Sequence, residues 1–398
     1  MILAENRQTP VVGQYDVAVC GGGFGGISAA LSAARHGKRV VLLERQYMLG
    51  GLGTAGLVTI YLPLCDGMGH QVSFGIAEEL LRLSIRDAVE ARYPENWLDG
   101  VGTRTDKDKR FQVQYNPHLF AIAAEQLLAE NGVDILYGAL VVDAKRTGDR
   151  ITHIVIEGKS GRQAFSVGAV VDATGDADVA FLCGAPTETF HQGNVLAAWY
   201  YSFGQDGYKL HLLGASDVPD EEKKDGKSVK MLIDRRFGGL DTAEISDYMQ
   251  LSHASTYRDV MKRRKEDPTL LPVNVASIPQ LRMTRRLVGE YELSQTEMHT
   301  YFEDSVGMVG DWRRRGPVYE VPLRTLYTRE VSNLFCAGRC TSVTEAMWDI
   351  MRVIPCCAVT GQAAGLAAGM VSAGEALNVK RLQKQLTESG AVLHEQDI

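Results

Sequence analysis

The segment that most restricts what this chain can fold into is "YDVAVCGGGFGGISAALSAARHGKRVVLLER", residues 15–45. Its apolar start, residues 16–20, has the character of a buried parallel strand. Gly21, Gly23 and Gly26 follow at G-x-G-x-x-G spacing and open a helix of small residues. "RVVLLE" then reads as a second strand ending in Glu44. In such a unit the first glycine permits the tight turn and the second lets backbone approach a pyrophosphate. The third lets the helix pack close to the strand and aim its N–H groups at phosphate. A carboxylate closing the second strand accepts hydrogen bonds from ribose hydroxyls and repels a 2′-phosphate. The segment predicts an α/β, Rossmann-like unit that binds a dinucleotide through Gly21, Gly23, Phe24, Gly25, Gly26, Glu44 and Arg45. NAD and FAD both remain open at this point.

Past Glu44 comes "YMLGGLGTAG", a second glycine cluster with Gly50, Gly51, Gly53 and Thr54. Glycines there let backbone lie against a large flat ring; a plain flexible loop has the same composition. Residues 117–130 read as a helix, with Asn116 as N-cap and Pro117 at the first helical position. Val141 falls in the strand that follows. Residues 150–176 alternate like a hairpin meander with a turn at "GKSG", closing on "AVVDATGD" with Ala173, Thr174 and Gly175. Near the C-terminus a strand over 333–337 runs into Gly338 and Arg339. A tightly packed helix of small residues starts at Pro355.

These pieces, in this order, resemble the FAD-binding domain of the glutathione-reductase-like flavoproteins. More narrowly, "LGGLGTAG", "RMTRRLVGEY", "CAGR" and "MRVIP" are similar to segments of the broad family of FAD-dependent oxidoreductases, which has kinship with fumarate-reductase flavoproteins. The resemblance covers nearly the whole chain and is weakest from about 204 to 275. It implies FAD as cofactor, with Gly338, Arg339, Arg352 and Cys356 near it and the Pro355 helix pointing at the flavin. It also implies a discontinuous FAD-binding domain over 1–182 and 329–398, with an inserted α+β substrate or cap domain over 183–328. No second G-x-G-x-x-G of the kind that marks a separate NAD(P)H domain in disulfide reductases, and no C-x4-C pair beside the flavin loop, accompanies these motifs, so disulfide reduction is not expected.

The chemistry-bearing candidates are fewer. Arg282, Arg285 and Arg286 lie in one short stretch. A guanidinium among them can grip a substrate carboxylate, or the group forms an ion-pair network with Glu290 or Glu292. Arg285 and Arg286 are the expected site arginines. For proton transfer the candidates are His70, after the glycine loop, and Glu345, between the "AGR" strand and the last large helix. Related sequences often carry a histidine at the latter place, which leaves an inherited role for Glu345 open. The expected reaction is hydride transfer between a small organic substrate and flavin N5. Monooxygenation and a non-catalytic electron-relay role are the alternatives.

Composition sets the remaining bounds. At 398 residues the chain suggests two domains. Its formal charge of -7 argues against nucleic acid as a partner. The N-terminus lacks the basic start and apolar block of a signal peptide, and no bilayer-spanning run is evident, so a cytoplasmic protein is expected. The seven cysteines lack zinc-ribbon or ferredoxin spacing, and no metal is expected. "DVPDEEKKDGKSVK" reads as a solvated loop, and the stretch from Asp241 as one long helix ended before Pro268.

Overall fold

The computed structural model describes residues 3, 5–86, 112–214 and 231–398. The charged loop read from "DVPDEEKKDGKSVK" lies outside the described residues.

The frame is a sheet built around β1 (Val11–Cys20), with β2 (Val40–Glu44), β3 (Asp134–Tyr137), β4 (Leu140–Thr147), β5 (Arg150–Gly158), β6 (Gly161–Asp172) and β7 (Leu334–Cys336). The order is β3-β2-β1-β6-β5-β4, and β7 also pairs with β6. The twelve-residue β6 explains this double membership. Its first half continues the antiparallel meander of β4 and β5, with Ser166 opposite His153. Its second half runs parallel between β1 and β7, with Asp172 beside both Cys20 and Cys336. The parallel part is buried, which is why its strands read as unbroken apolar runs rather than alternating ones.

Helix α1 (Phe24–Arg35) follows β1, and α2 (Ile76–Ile85) and α3 (Pro117–Glu130) lie beyond it. The Asn116 side chain caps α3, accepting from the N–H groups of His118 and Leu119 at 3.0 and 3.1 Å. The remaining α-helices among the described residues are α4 (Asp178–Leu182), α5 (Thr242–Arg263), α6 (Glu345–Met351), α7 (Ile354–Val371) and α8 (Val379–Glu388). Helix α7 is apolar enough over eighteen residues, at mean hydropathy 1.4, to cross a membrane by length and composition. All of it is buried within the fold. It is the central core helix.

Helices α1 and α7 lie in backbone contact because α7 presents glycines. A Cβ on Gly361 would come within 2.2 Å of the Gly25 carbonyl oxygen, and one on Gly365 within 2.1 Å of that of Ala29. Close approach allows Ser28 and Ser32 of α1 to donate to the carbonyls of Ala358 and Gln362 at 2.6 and 2.8 Å. Around this pair sits the main apolar core, including Ile27, Leu31, Val359 and Leu366. Burying each such large aliphatic side chain contributes about 1.5–3 kcal/mol. The strand pair Ser305–Gly310 and Val318–Pro322 packs into the same core through Val306, Val309, Tyr319 and Val321. These residues were expected within the cap.

The inserted segment carries an antiparallel sheet of Tyr200–Gly204, Gly207–His211 and Leu271–Val275, with α5 packed on it. The segment "NVLAAWYYSFGQ" forms two short strands, Asn194–Val195 and Tyr200–Gly204, with a gap between them. Helix α5 takes over the backbone groups in the gap: the Ala197 N–H donates to the Tyr248 hydroxyl, and its carbonyl accepts from Ser252, both at 3.0 Å.

Candidate active site

A cavity of about 660 Å³ runs from the end of β2, past the N-termini of α1 and α7, to the inserted segment. At its first end stands Glu44. One carboxylate oxygen accepts from the Gly22 N–H at 2.6 Å and the other from the Gln46 N–H at 2.7 Å, so the carboxylate also fixes the glycine turn. Gly21, in the left-handed region at φ 103°, passes so near β6 that a Cβ would sit 2.4 Å from the Ala173 carbonyl oxygen. A Cβ on Gly23 would meet no protein atom within 4 Å; this residue faces open cavity.

The loop after β6 is organised by Asp172. Its carboxylate is fully buried and accepts from the N–H and hydroxyl of Thr174 and the N–H of Ala180. Burial raises its proton affinity against the effect of these donors. The second glycine cluster is tied to the first, since Gly50 N–H donates to the Gly22 carbonyl at 2.8 Å.

The helix ends separate by function. Helices α3, α5, α6 and α8 carry their own capping side chains, from Asn116, Asp241, Thr344 and Asn378. Helix α2 is capped by Gln362, and α4 by Thr174 and Asp172. Only α1 and α7, among the described helices, have no side chain on their first N–H groups, and both open on the cavity. Two uncapped N-termini present unsatisfied N–H groups and positive dipole ends to whatever lies between them.

A family described as FAD dependent oxidoreductase matches residues 16–196 and 191–386. The chain belongs to this family. Its cofactor is FAD. The residues present fit that group: paired electropositive helix ends for phosphate and reduced flavin, backbone without side chains at Gly23, Gly50 and Gly51, and a carboxylate at the ribose end.

Among known proteins the chain is similar to a 3-hydroxybenzoate 6-hydroxylase from Klebsiella oxytoca, 28% identical over 144 residues, 36% of each chain. It is also similar to a 4-oxocyclohexanecarboxylate 2-dehydrogenase from Sinomonas cyclohexanicum, 32% identical over 97 residues. That match covers 24% of this chain and 17% of the dehydrogenase. The matches thus span about a third or less of these relatives' lengths. A solved flavocytochrome c3 fumarate reductase in its open conformation aligns over 91% of this chain and 79% of its own, at 14% identity and TM-score 0.44.

Within this FAD-dependent oxidoreductase, Gly21, Gly23, Phe24, Gly25, Glu44, Arg45, Gly50, Gly51, Gly53, Val141, Ala173, Thr174, Gly175, Gly338, Arg339 and Arg352 line the cavity. Three of the expected cofactor residues do not. Gly26 is packed against the Gly21 carbonyl, where a Cβ would sit at 1.8 Å. Thr54 turns its hydroxyl onto the Leu49 carbonyl, at 2.5 Å, and pins the glycine loop. Cys356 is buried with its thiol toward the Ile350 carbonyl, and its neighbour Cys357 reaches the wall instead.

None of the four expected catalytic side chains lines this cavity. Arg285 pairs with Asp178 at 2.7 Å and lies over the Phe181 ring. Arg286 pairs with Glu188 and Glu292, the ion-pair network that was the alternative reading. Glu345 accepts from the His191 backbone at 2.9 Å and pairs with its ring. His70 is exposed and lies 3.0 Å from Asp66.

The cavity's far end holds Arg282, the one of the three arginines named from the sequence that was left out of the expected pair. Arg282 is buried there, with its guanidinium 4.8 Å above the Trp199 ring. Burial, then the nearby Arg352, push its pKa down to about 9. Arg352 is itself paired with Asp349. Trp199, Leu212, Ile278, Pro279 and Trp312 complete a largely apolar compartment.

Proposed function

We propose that the protein transfers a hydride between a small organic substrate, held in the compartment of Trp199, Ile278 and Arg282, and FAD held along the rest of the cavity. The observation that carries this reading is the continuity of one cavity from the Glu44 ribose end to that apolar compartment. Bound FAD supplies the two-electron acceptor or donor. The chain's residues do the rest. The N-terminus of α7, with Val353, Ile354 and Cys357 on the wall, stabilises negative charge beside it through N–H groups and helix dipole. Trp199 and Ile278, both buried, exclude water from the reacting centre. The titratable side chains that line the cavity are Glu44, Arg45, Asp176, Asp178, Arg282, Arg339, Arg352 and Cys357, and Arg339, which donates to the Arg282 carbonyl, brings its partner Asp176 to this end.

Anaerobic mixing of the holoprotein with candidate substrates tests this. Bleaching of the flavin absorption, slowed several-fold by deuterium at the transferred carbon, is the expected result. Incorporation of 18O from O2 into product would instead place the protein with oxygenases, a reading supported by the similarity to a 6-hydroxylase.

A further inference from the structure

We propose that Arg282 is the anion seat of the substrate compartment, holding the carboxylate of a small aromatic or alicyclic acid whose ring lies among Trp199, Ile278 and Pro279. This rests on the reading that substrate meets the flavin in this cavity.

The argument begins with hydrogen-bond accounting. The backbone around Arg282 is fixed from two sides. Asn194, distant in sequence, accepts from the N–H groups of Arg282 and Met283 at 3.0 and 3.1 Å. Arg339 donates to the carbonyls of Leu281 and Arg282, both at 3.0 Å. The side chain is braced by Trp199, whose indole N–H is in turn held by the Gly214 carbonyl at 2.8 Å. Yet the Nη2 group of Arg282, buried as it is, has no hydrogen-bond partner among the described residues.

The other guanidinium groups at this end are paired. Arg352 has Asp349, and Arg339 has Asp176 at 3.4 Å. Arg282 forms no ion pair among the described residues. A buried, unpaired charge is costly unless a partner arrives, and the depressed proton affinity of this arginine reports the same cost. A guanidinium offers a planar fork of donors that matches a carboxylate. The apolar walls and two indoles favour a flat or cyclic body over a polar chain.

Phosphate is the competing source of anionic oxygens, through FAD itself. The geometry assigns the pyrophosphate elsewhere, at the uncapped N-terminus of α1 beside Gly23.

The test uses FAD-loaded protein, with flavin stoichiometry measured first so that failure of the cofactor reading is seen separately. Benzoate and cyclohexanecarboxylate, with their neutral amides, are titrated by calorimetry and by thermal shift. Wild type is expected to bind at least one acid and to bind it more tightly than its amide. R282Q is expected to keep stoichiometric FAD and to lose acid affinity by about 30-fold or more, while the weaker amide binding changes little. R282K should fall between, since it keeps charge without the fork. Equal affinity of acid and amide, unchanged acid binding in R282Q, no acid binding in wild type, or loss of FAD from R282Q would each overturn the proposal.

Discussion

The carboxylate of Glu44 accepts the backbone N–H of Gly22 at 2.6 Å. The residue at the end of β2 therefore shapes the turn that follows β1, and its two functions are coupled. Replacing Glu44 with Ala removes a charge-assisted hydrogen bond, worth about 1.5–3 kcal/mol, and the ribose acceptor together. FAD affinity of the apoprotein should fall by at least about tenfold. Fluorescence titration with FAD measures it; unchanged affinity would remove Glu44 from the site.

The contact between α1 and α7 admits no side chain at Gly365, where a Cβ would sit 2.1 Å from the Ala29 carbonyl oxygen. Gly365→Ala should destabilise the protein by about 1–3 kcal/mol or more, since backbone must move. Urea unfolding of the apoprotein reads this directly. A neutral substitution would mean that the two helices are not in backbone contact at this position.

Asp178 offers a pH test. Burial and the adjacent Asp176 raise its carboxyl to about 6, against the opposing effect of Arg285. The folded state then holds a proton more readily than the unfolded chain, so this group's ionisation costs stability above about pH 6 and the cost disappears as pH falls toward its unfolded value. Relative to Asp178→Asn, the wild type should gain stability as pH falls from about 7 to about 4.5. A pH-independent difference between the two would contradict the assignment.

Cys357 lines the cavity, but burial pushes its thiol up to about 12. It is a neutral thiol at ordinary pH and a poor nucleophile. Iodoacetamide should leave it unmodified in the native holoprotein, and Cys357→Ser should retain FAD. Rapid alkylation at neutral pH, mapped to this residue, would show an exposed thiolate.

How much was legible in the sequence follows from what each residue type constrains. Gly21, Gly23, Asn116 and the "ATGD" loop act through backbone conformation and local spacing, and they stand where the pattern placed them. Side-chain direction in irregular segments was not legible. Arg285 and Arg286 enter a short strand paired with Thr187–Thr189, which turns them onto Asp178 and Glu188. Arg282 precedes that strand, and its direction is set by Asn194, 88 residues away in the chain. Cys356 and Cys357 differ by about 100° around one helix, so a one-residue error in position exchanges core for cavity. The break at residues 196–199 depended on α5 supplying partners from a distant part of the sequence.

The central claim is that FAD lies in the cavity across the N-terminus of α1, and Gly23 tests it most directly. Its backbone has φ -71°, open to any residue, and a side chain there meets no protein atom near its Cβ. Gly23→Leu should leave the apoprotein folded, with its thermal transition little changed, while filling the space required by the pyrophosphate. The measurement is the flavin absorbance per protein chain after saturation with FAD and removal of the excess. The account predicts stoichiometric FAD in the wild type and almost none in the folded variant. A folded variant that still holds one FAD per chain would contradict it.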